Sequence, residues 1–124
     1  EEMATRGALL VGLRSRYREG VVWLLSTTAF AALHVPNVIF GLPPAQMPVQ
    51  VILTFVIGTG FYAVRRVSGT LMVPMVLHGL WDSSLFACAA TGAPLSAVQF
   101  VVYPVAVACA IPVVVRSWNQ RLAS

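Results

Sequence analysis

Residues 20–40 read GVVWLLSTTAFAALHVPNVIF, an apolar run whose one ionisable side chain is His34. An α-helix needs about 20 mostly apolar residues to cross the hydrocarbon core of a bilayer, and this run has that length. Three more runs repeat the pattern: residues 47–64 (MPVQVILTFVIGTGFYAV), residues 70–90 (TLMVPMVLHGLWDSSLFACAA) and residues 95–115. Residues 1–13 (EEMATRGALLVGL) read as the end of a further helix. The expected fold is an all-α membrane protein, a bundle of about five transmembrane helices with the first truncated and a polar site near the bilayer midplane. Residues 1–124 are expected to form a single domain excised from a longer protein, because the chain opens on charged Glu1 with no initiator Met.

Composition agrees with the runs. Of the 124 residues, 58% are hydrophobic and 10% charged, and the mean hydropathy is +0.82. Soluble domains carry about 25% charged residues, so this chain cannot clothe its surface for water and the lipid bilayer is its expected partner. The net charge of +4 comes from arginines without lysine. Those arginines lie between apolar runs rather than on one basic face, which excludes nucleic acid as a partner. Arg14, Arg16 and Arg18 precede the first run, Arg65 and Arg66 separate the second from the third, and Arg116 and Arg121 follow the fourth. The connections around Pro43-Pro44 and Gly92 carry no charge. Basic loops mark the cytoplasmic side, so the alternation predicts a multi-pass protein. Pro36 is expected to end or kink the first run, while Pro74, Pro104 and Pro112 fall inside runs, where neighbouring groups can satisfy the freed carbonyls. Cys88 and Cys109, each in an apolar run, are expected to be small buried hydrophobes rather than a disulfide or metal pair.

With the loops set aside, few strongly polar side chains remain: Glu1, Glu2, Arg6, His34, His78 and Asp82. Ionisable groups inside a membrane are costly and mark a functional site by default. At a rise of about 1.5 Å per residue from the basic ends, Glu1 lies ~18 Å deep, His34 ~21 Å, His78 ~13 Å and Asp82 ~19 Å. Three helices thus bring titratable groups to one level. His78 and Asp82 are four apart and share a helix face, as do Phe30 and His34. Glu2 and Arg6 have the same spacing in the favourable order, which leaves Glu1 unpaired. Ser83 and Ser84 lack a nucleophile-elbow frame. Asn37, Gln50, Thr27 and Thr54 read as packing or backbone partners, and Trp23, Trp81 and Trp118 as packing or interfacial anchors.

Three motifs result: E-E-x-x-x-R over residues 1–6, F-x-x-x-H over residues 30–34 and H-x-x-x-D over residues 78–82. In this order on successive apolar segments they resemble the CPBP (Abi) family of intramembrane proteases, which includes the CAAX prenyl endopeptidase of type II. The zincin signature H-E-x-x-H is absent. The resemblance implies an endopeptidase acting on a peptide or protein in a bacterial cell membrane. It implies Glu1 as general base on water, Glu2 and Arg6 as supporting groups, and His34 as a second holder of that water. It implies His78, with the residue four later, as stabiliser of the oxyanion. That residue is Asp82, where many members have Asn. An ionised Asp repels a developing oxyanion, so Asp82 must be protonated, orient His78 or bind a metal. Glu1, His34, His78 and Asp82 also make an acceptable zinc set, and the residues leave open whether zinc or glutamate activates the water. The rival expectation is a non-catalytic membrane protein of the same fold, acting in bacteriocin immunity or as an assembly partner. Costly buried acids argue against a mere scaffold. A bis-histidine haem site would leave both glutamates and Arg6 without a role.

Overall fold

The computed structural model describes residues 1–94 and 97–119, and the described residues form an all-helical bundle. A π-helical stretch, Met3–Leu9, runs into α1 (Leu10–Arg14). It is followed by α2 (Glu19–Ala32), α3 (Met47–Ser68), α4 (Met72–Thr91) and α5 (Ala97–Asn119), with 3-10 turns at Val35–Val38 and Pro44–Gln46. Helix ends follow local chemistry. Glu19 sits in the first turn of α2, where the helix dipole favours an acid. Arg65 and Arg66 occupy the last turn of α3, where it favours cations, and Gly69 closes that helix at φ 70°. Gly92 closes α4 at φ 66°, at the turn expected there. The first run ends earlier than Pro36, since α2 stops at Ala32 and the chain tightens into the 3-10 turn that holds Pro36. Pro74 falls in the first turn of α4 rather than mid-helix, where its missing donor would be unpaired anyway. Pro104 and Pro112 do lie inside α5.

The helix α3 is central, packing against α2, α4 and α5. Its small residues allow this. Gly58 and Gly60 are two apart, about 200° around the helix, so they open opposite faces. A Cβ on Gly58 would come within 2.7 Å of Phe30 on α2, and one on Gly60 within 3.0 Å of Ala106 on α5. Close backbone approach through small residues is how membrane helices gain packing energy when lipid is as apolar as leucine. One apolar cluster joins Leu10, Val22 and Tyr62; a second joins Phe30, Ile57 and Phe61, with Trp81, Tyr103 and Ala106 against it.

The distribution of polarity inverts that of a soluble protein. Glu2, Thr5, Arg6, Ser26, Thr27, His78 and Ser117 are buried, while Ile39, Phe40, Val67 and Phe86 are each more than two-thirds exposed. Such an exterior needs lipid as its solvent. Among the described residues, three segments are long and apolar enough to cross a membrane: Glu19–Val38, Pro44–Ser68 and Val101–Asn119. The 20-residue α4 is not among them, because the same helix carries His78 and Asp82. Cys88 and Cys109 are free, as expected, but not buried: Cys88 is half-buried and Cys109 exposed. In lipid an apolar stretch need not face the interior, so hydrophobicity alone misplaces them.

The basic connections gather at one end. Glu19 accepts hydrogen bonds from Arg14 Nε (3.1 Å) and Tyr62 Oη (2.6 Å), and Arg66 Nη1 lies 3.3 Å from the same carboxylate. Arg66 also donates to Ser117 on α5. The Arg14 guanidinium is raised above its ordinary range by its hydrogen bonds to Glu19, so this tie stays charged. Arg18 lies over the Trp118 ring, and Gly20 is pressed against that indole. Arg116 is exposed in the last turn of α5, whereas Arg121 lies outside the described residues.

Candidate functional site

At the other end of α1 the chain enters as a π-helix, a rare winding that is frequent at functional sites. Glu1 and Glu2, just ahead of it, face His78 on α4, and Arg6 within it faces α2 and α3. Arg6 is fully buried. Its Nη2 donates to the Gly58 carbonyl at 2.6 Å and its Nη1 to Thr5 Oγ1 at 2.9 Å. Its guanidinium lies 4.0 Å from the centre of the Phe30 ring. Nη1 is also 3.4 Å from Glu2 Oε1, the expected pair. This Arg fixes α1, α2 and α3 to one another as well as neutralising an acid. A Cβ on Gly58 would press on both Phe30 and Arg6 Nη2 (3.0 Å). Gly58→Ala is therefore expected to lower stability by about 1–3 kcal/mol, the usual cost of overpacking, read as the unfolding midpoint in detergent.

All six polar residues singled out in the sequence meet here. Glu1 Oε2 lies 3.7 Å from His34 Nε2 and 4.0 Å from His78 Nε2. Glu2 is not confined to Arg6: its Oε1 is also 3.3 Å from His78 Nδ1. Neither contact is aligned as a hydrogen bond, and both Glu2 oxygens are buried without a hydrogen-bond partner among the described residues. Asp82 Oδ2 is 3.4 Å from His78 Nε2, one turn along α4. The side chains grade in exposure: Glu2 3%, His78 11%, His34 18%, Glu1 39% and Asp82 47%.

His34 sits just beyond α2, and its Nδ1 is 3.1 Å from the Phe30 carbonyl oxygen. A carbonyl only accepts, so this hydrogen bond requires the proton on Nδ1. In neutral imidazole that leaves a lone pair on Nε2, the nitrogen facing Glu1. Phe30 is the hub beneath: its ring centre is 5.4 Å from that of His34 and 5.3 Å from that of His78. Ser83 and Ser84 donate to backbone carbonyls of their own helix, which occupies both hydroxyls.

Among the described residues no three His, Cys, Asp or Glu converge as a metal site demands.

Sequence reading missed what α3 supplies. The Gly58 carbonyl receives Arg6, and the Phe61 ring stacks on His78 at 5.0 Å and 28°. Neither is ionisable, so hydropathy gave no mark. The closely spaced Gly58 and Gly60 were the available signal of a helix approached on both sides.

An apolar helical bundle enclosing three carboxylates, two imidazoles and a buried guanidinium defines an integral membrane protein with a polar cluster between its helices. Residues 1–84 match the family described as Type II CAAX prenyl endopeptidase Rce1-like, and the chain belongs to that family. The match covers Glu1 through Asp82 and so every motif residue. No curated protein and no solved structure matches the chain.

Proposed function

We propose that this chain is an intramembrane endopeptidase in which Glu1 and His34 activate a water molecule, and His78, backed by Glu2 and Asp82, stabilises the oxyanion. The observation that carries this reading is the 3.7 Å gap between Glu1 Oε2 and His34 Nε2. A gap of that length suits two acceptors sharing one water. The water gives one hydrogen bond to the carboxylate and one to the imidazole lone pair, leaving an oxygen lone pair for attack.

The steps balance with these groups alone. Glu1 takes a proton as the water oxygen bonds to the scissile carbonyl carbon. The carbonyl π electrons move onto oxygen, which becomes the oxyanion. His78 donates to it from Nε2, while the buried Glu2 carboxylate lies 3.3 Å from Nδ1 on the other side of the ring. Collapse of the intermediate breaks the C–N bond, and the proton on Glu1 passes to the leaving nitrogen. Asp82 competes for the same Nε2 until substrate arrives, so it holds the ring ready rather than touching the oxyanion. The substrate is a peptide or protein segment reached within the membrane of a multi-pass protein.

The test is cleavage of a membrane-embedded peptide library in proteoliposomes. His34→Ala and His78→Ala are each expected to insert normally and to lose product formation. Equal cleavage by the parent and both variants would discard the catalytic assignment. A biological effect that survives both changes would favour the non-catalytic role in immunity or assembly.

A further inference from the structure

The hydrophobic cluster of Phe30, Ile57 and Phe61 has a second consequence, at the face of the His78 ring. Both edges of that ring are taken by carboxylates, Glu2 near Nδ1 and Asp82 and Glu1 near Nε2. Carboxylates at the edges set the charge around an imidazole but leave it free to tilt about its long axis. Tilt is limited only by what lies against the faces. Phe61 lies against one face, nearly parallel (28°) with centroids 5.0 Å apart, and Phe30 meets the ring edge-on at 67° and 5.3 Å. Phe61 is in turn braced by Phe30, edge-to-face at 6.3 Å. The same Phe61 ring lines an apolar cavity of about 710 Å³ between α3, α4 and α5, with Leu77, Leu80 and Trp81. It is therefore not fixed by dense packing all round, and a larger ring has room.

We propose that Phe61 is a positioning residue for the hydrolysis: it holds the plane of the His78 imidazole so that Nε2 meets the developing oxyanion. The inference rests on the peptidase reading. It also explains why α3, which carries no ionisable group near the site, presents a flat ring there rather than an aliphatic side chain.

The test is steady-state kinetics on Phe61→Leu, Phe61→Tyr, Ile57→Ala and Glu1→Gln in proteoliposomes. Phe61→Leu is expected to lower kcat by about 10- to 100-fold with KM little changed, because a misaimed donor costs transition-state binding rather than ground-state binding. Phe61→Tyr, which keeps the stacked face, is expected to restore kcat to within a few-fold of the parent. Ile57→Ala loosens the same cluster without removing a ring from His78, and is expected to lower the unfolding midpoint but not kcat. An unchanged kcat in Phe61→Leu, a loss shared by Phe61→Tyr, or the same loss in Ile57→Ala would each overturn the role. If Glu1→Gln cleaves like the parent, the peptidase reading falls and the Phe61 role with it. If Glu1→Gln is inactive and Phe61→Leu is fully active, the Phe61 role alone falls.

Discussion

Glu1→Gln is expected to reduce kcat by about 10²–10⁴-fold, the usual contribution of a general base. KM should move little, because the amide keeps the shape and polarity that substrate meets and loses only the capacity to take a proton in the transition state. Stability should also hold. The Glu1 side chain is 39% exposed, and substitutions at such sites usually fall within about 0.5 kcal/mol. This separation distinguishes the two adjacent glutamates. Glu2 lies between Arg6 and His78 at 3% exposure, so Glu2→Gln should lower activity and stability together. Steady-state cleavage and detergent unfolding on the same preparations read both. A Glu1→Gln variant with parental kcat would move the base elsewhere. A chelator arm belongs in the same experiment: side-chain activation predicts a rate indifferent to 1,10-phenanthroline. Loss of rate restored by zinc would transfer water activation to a metal.

How much of this was readable in advance depended on the kind of residue. Glu1, Glu2, Arg6, His34, His78 and Asp82 stood out because a charge inside an apolar run is costly, and costly residues are retained for a reason. Periodicity paired His78 with Asp82 and Phe30 with His34, and the folded chain keeps both pairs within contact. The third helix was different. Gly58 contributes a backbone carbonyl and Phe61 a ring, and every membrane helix has carbonyls and most have phenylalanines. Nothing in one sequence separates those that touch a guanidinium or an imidazole from those that touch lipid. The same ambiguity misplaced Cys109, which is exposed. The π-helical entry was also illegible. Its sequence would suit an ordinary α-helix, and its winding belongs with the tertiary demand that Arg6 reach the Gly58 carbonyl while Glu1 faces the histidines.

The same physical fact links fold and chemistry. Lipid supplies no hydrogen bonds, so each buried polar group must find its partner inside the protein. Arg6 meets most of this demand through Thr5, Gly58 and the Phe30 face, although its Nε lacks a hydrogen-bond partner among the described residues, and in doing so it ties the π-helical entry to α2 and α3. Glu1 stands at the start of that entry, His34 lies just beyond α2, and α3 carries the Phe61 ring against His78. The polar cluster is thus held together by a guanidinium whose own contacts run to three different segments of the chain.

Arg6→Met is accordingly expected to be the most damaging change to stability, at about 3–5 kcal/mol, the cost of leaving one member of a buried ion pair without its counter-charge. The loss should come chiefly from Glu2, whose carboxylate would stay buried with Arg6 gone. Removing that charge as well should recover much of it, so the Arg6→Met/Glu2→Gln double variant should be more stable than Arg6→Met alone. The double-mutant cycle should return a coupling of about 1–3 kcal/mol. Arg6→Lys should not rescue. A lysine keeps the charge, but it has no planar fork to serve Thr5 and Gly58 together while lying flat on Phe30. Unfolding by SDS titration in mixed micelles reads the parent, both single variants, the double variant and Arg6→Lys on one scale. If the single losses simply add, Arg6 does not serve to neutralise Glu2, and its burial is explained by the Gly58 carbonyl and the Phe30 ring alone.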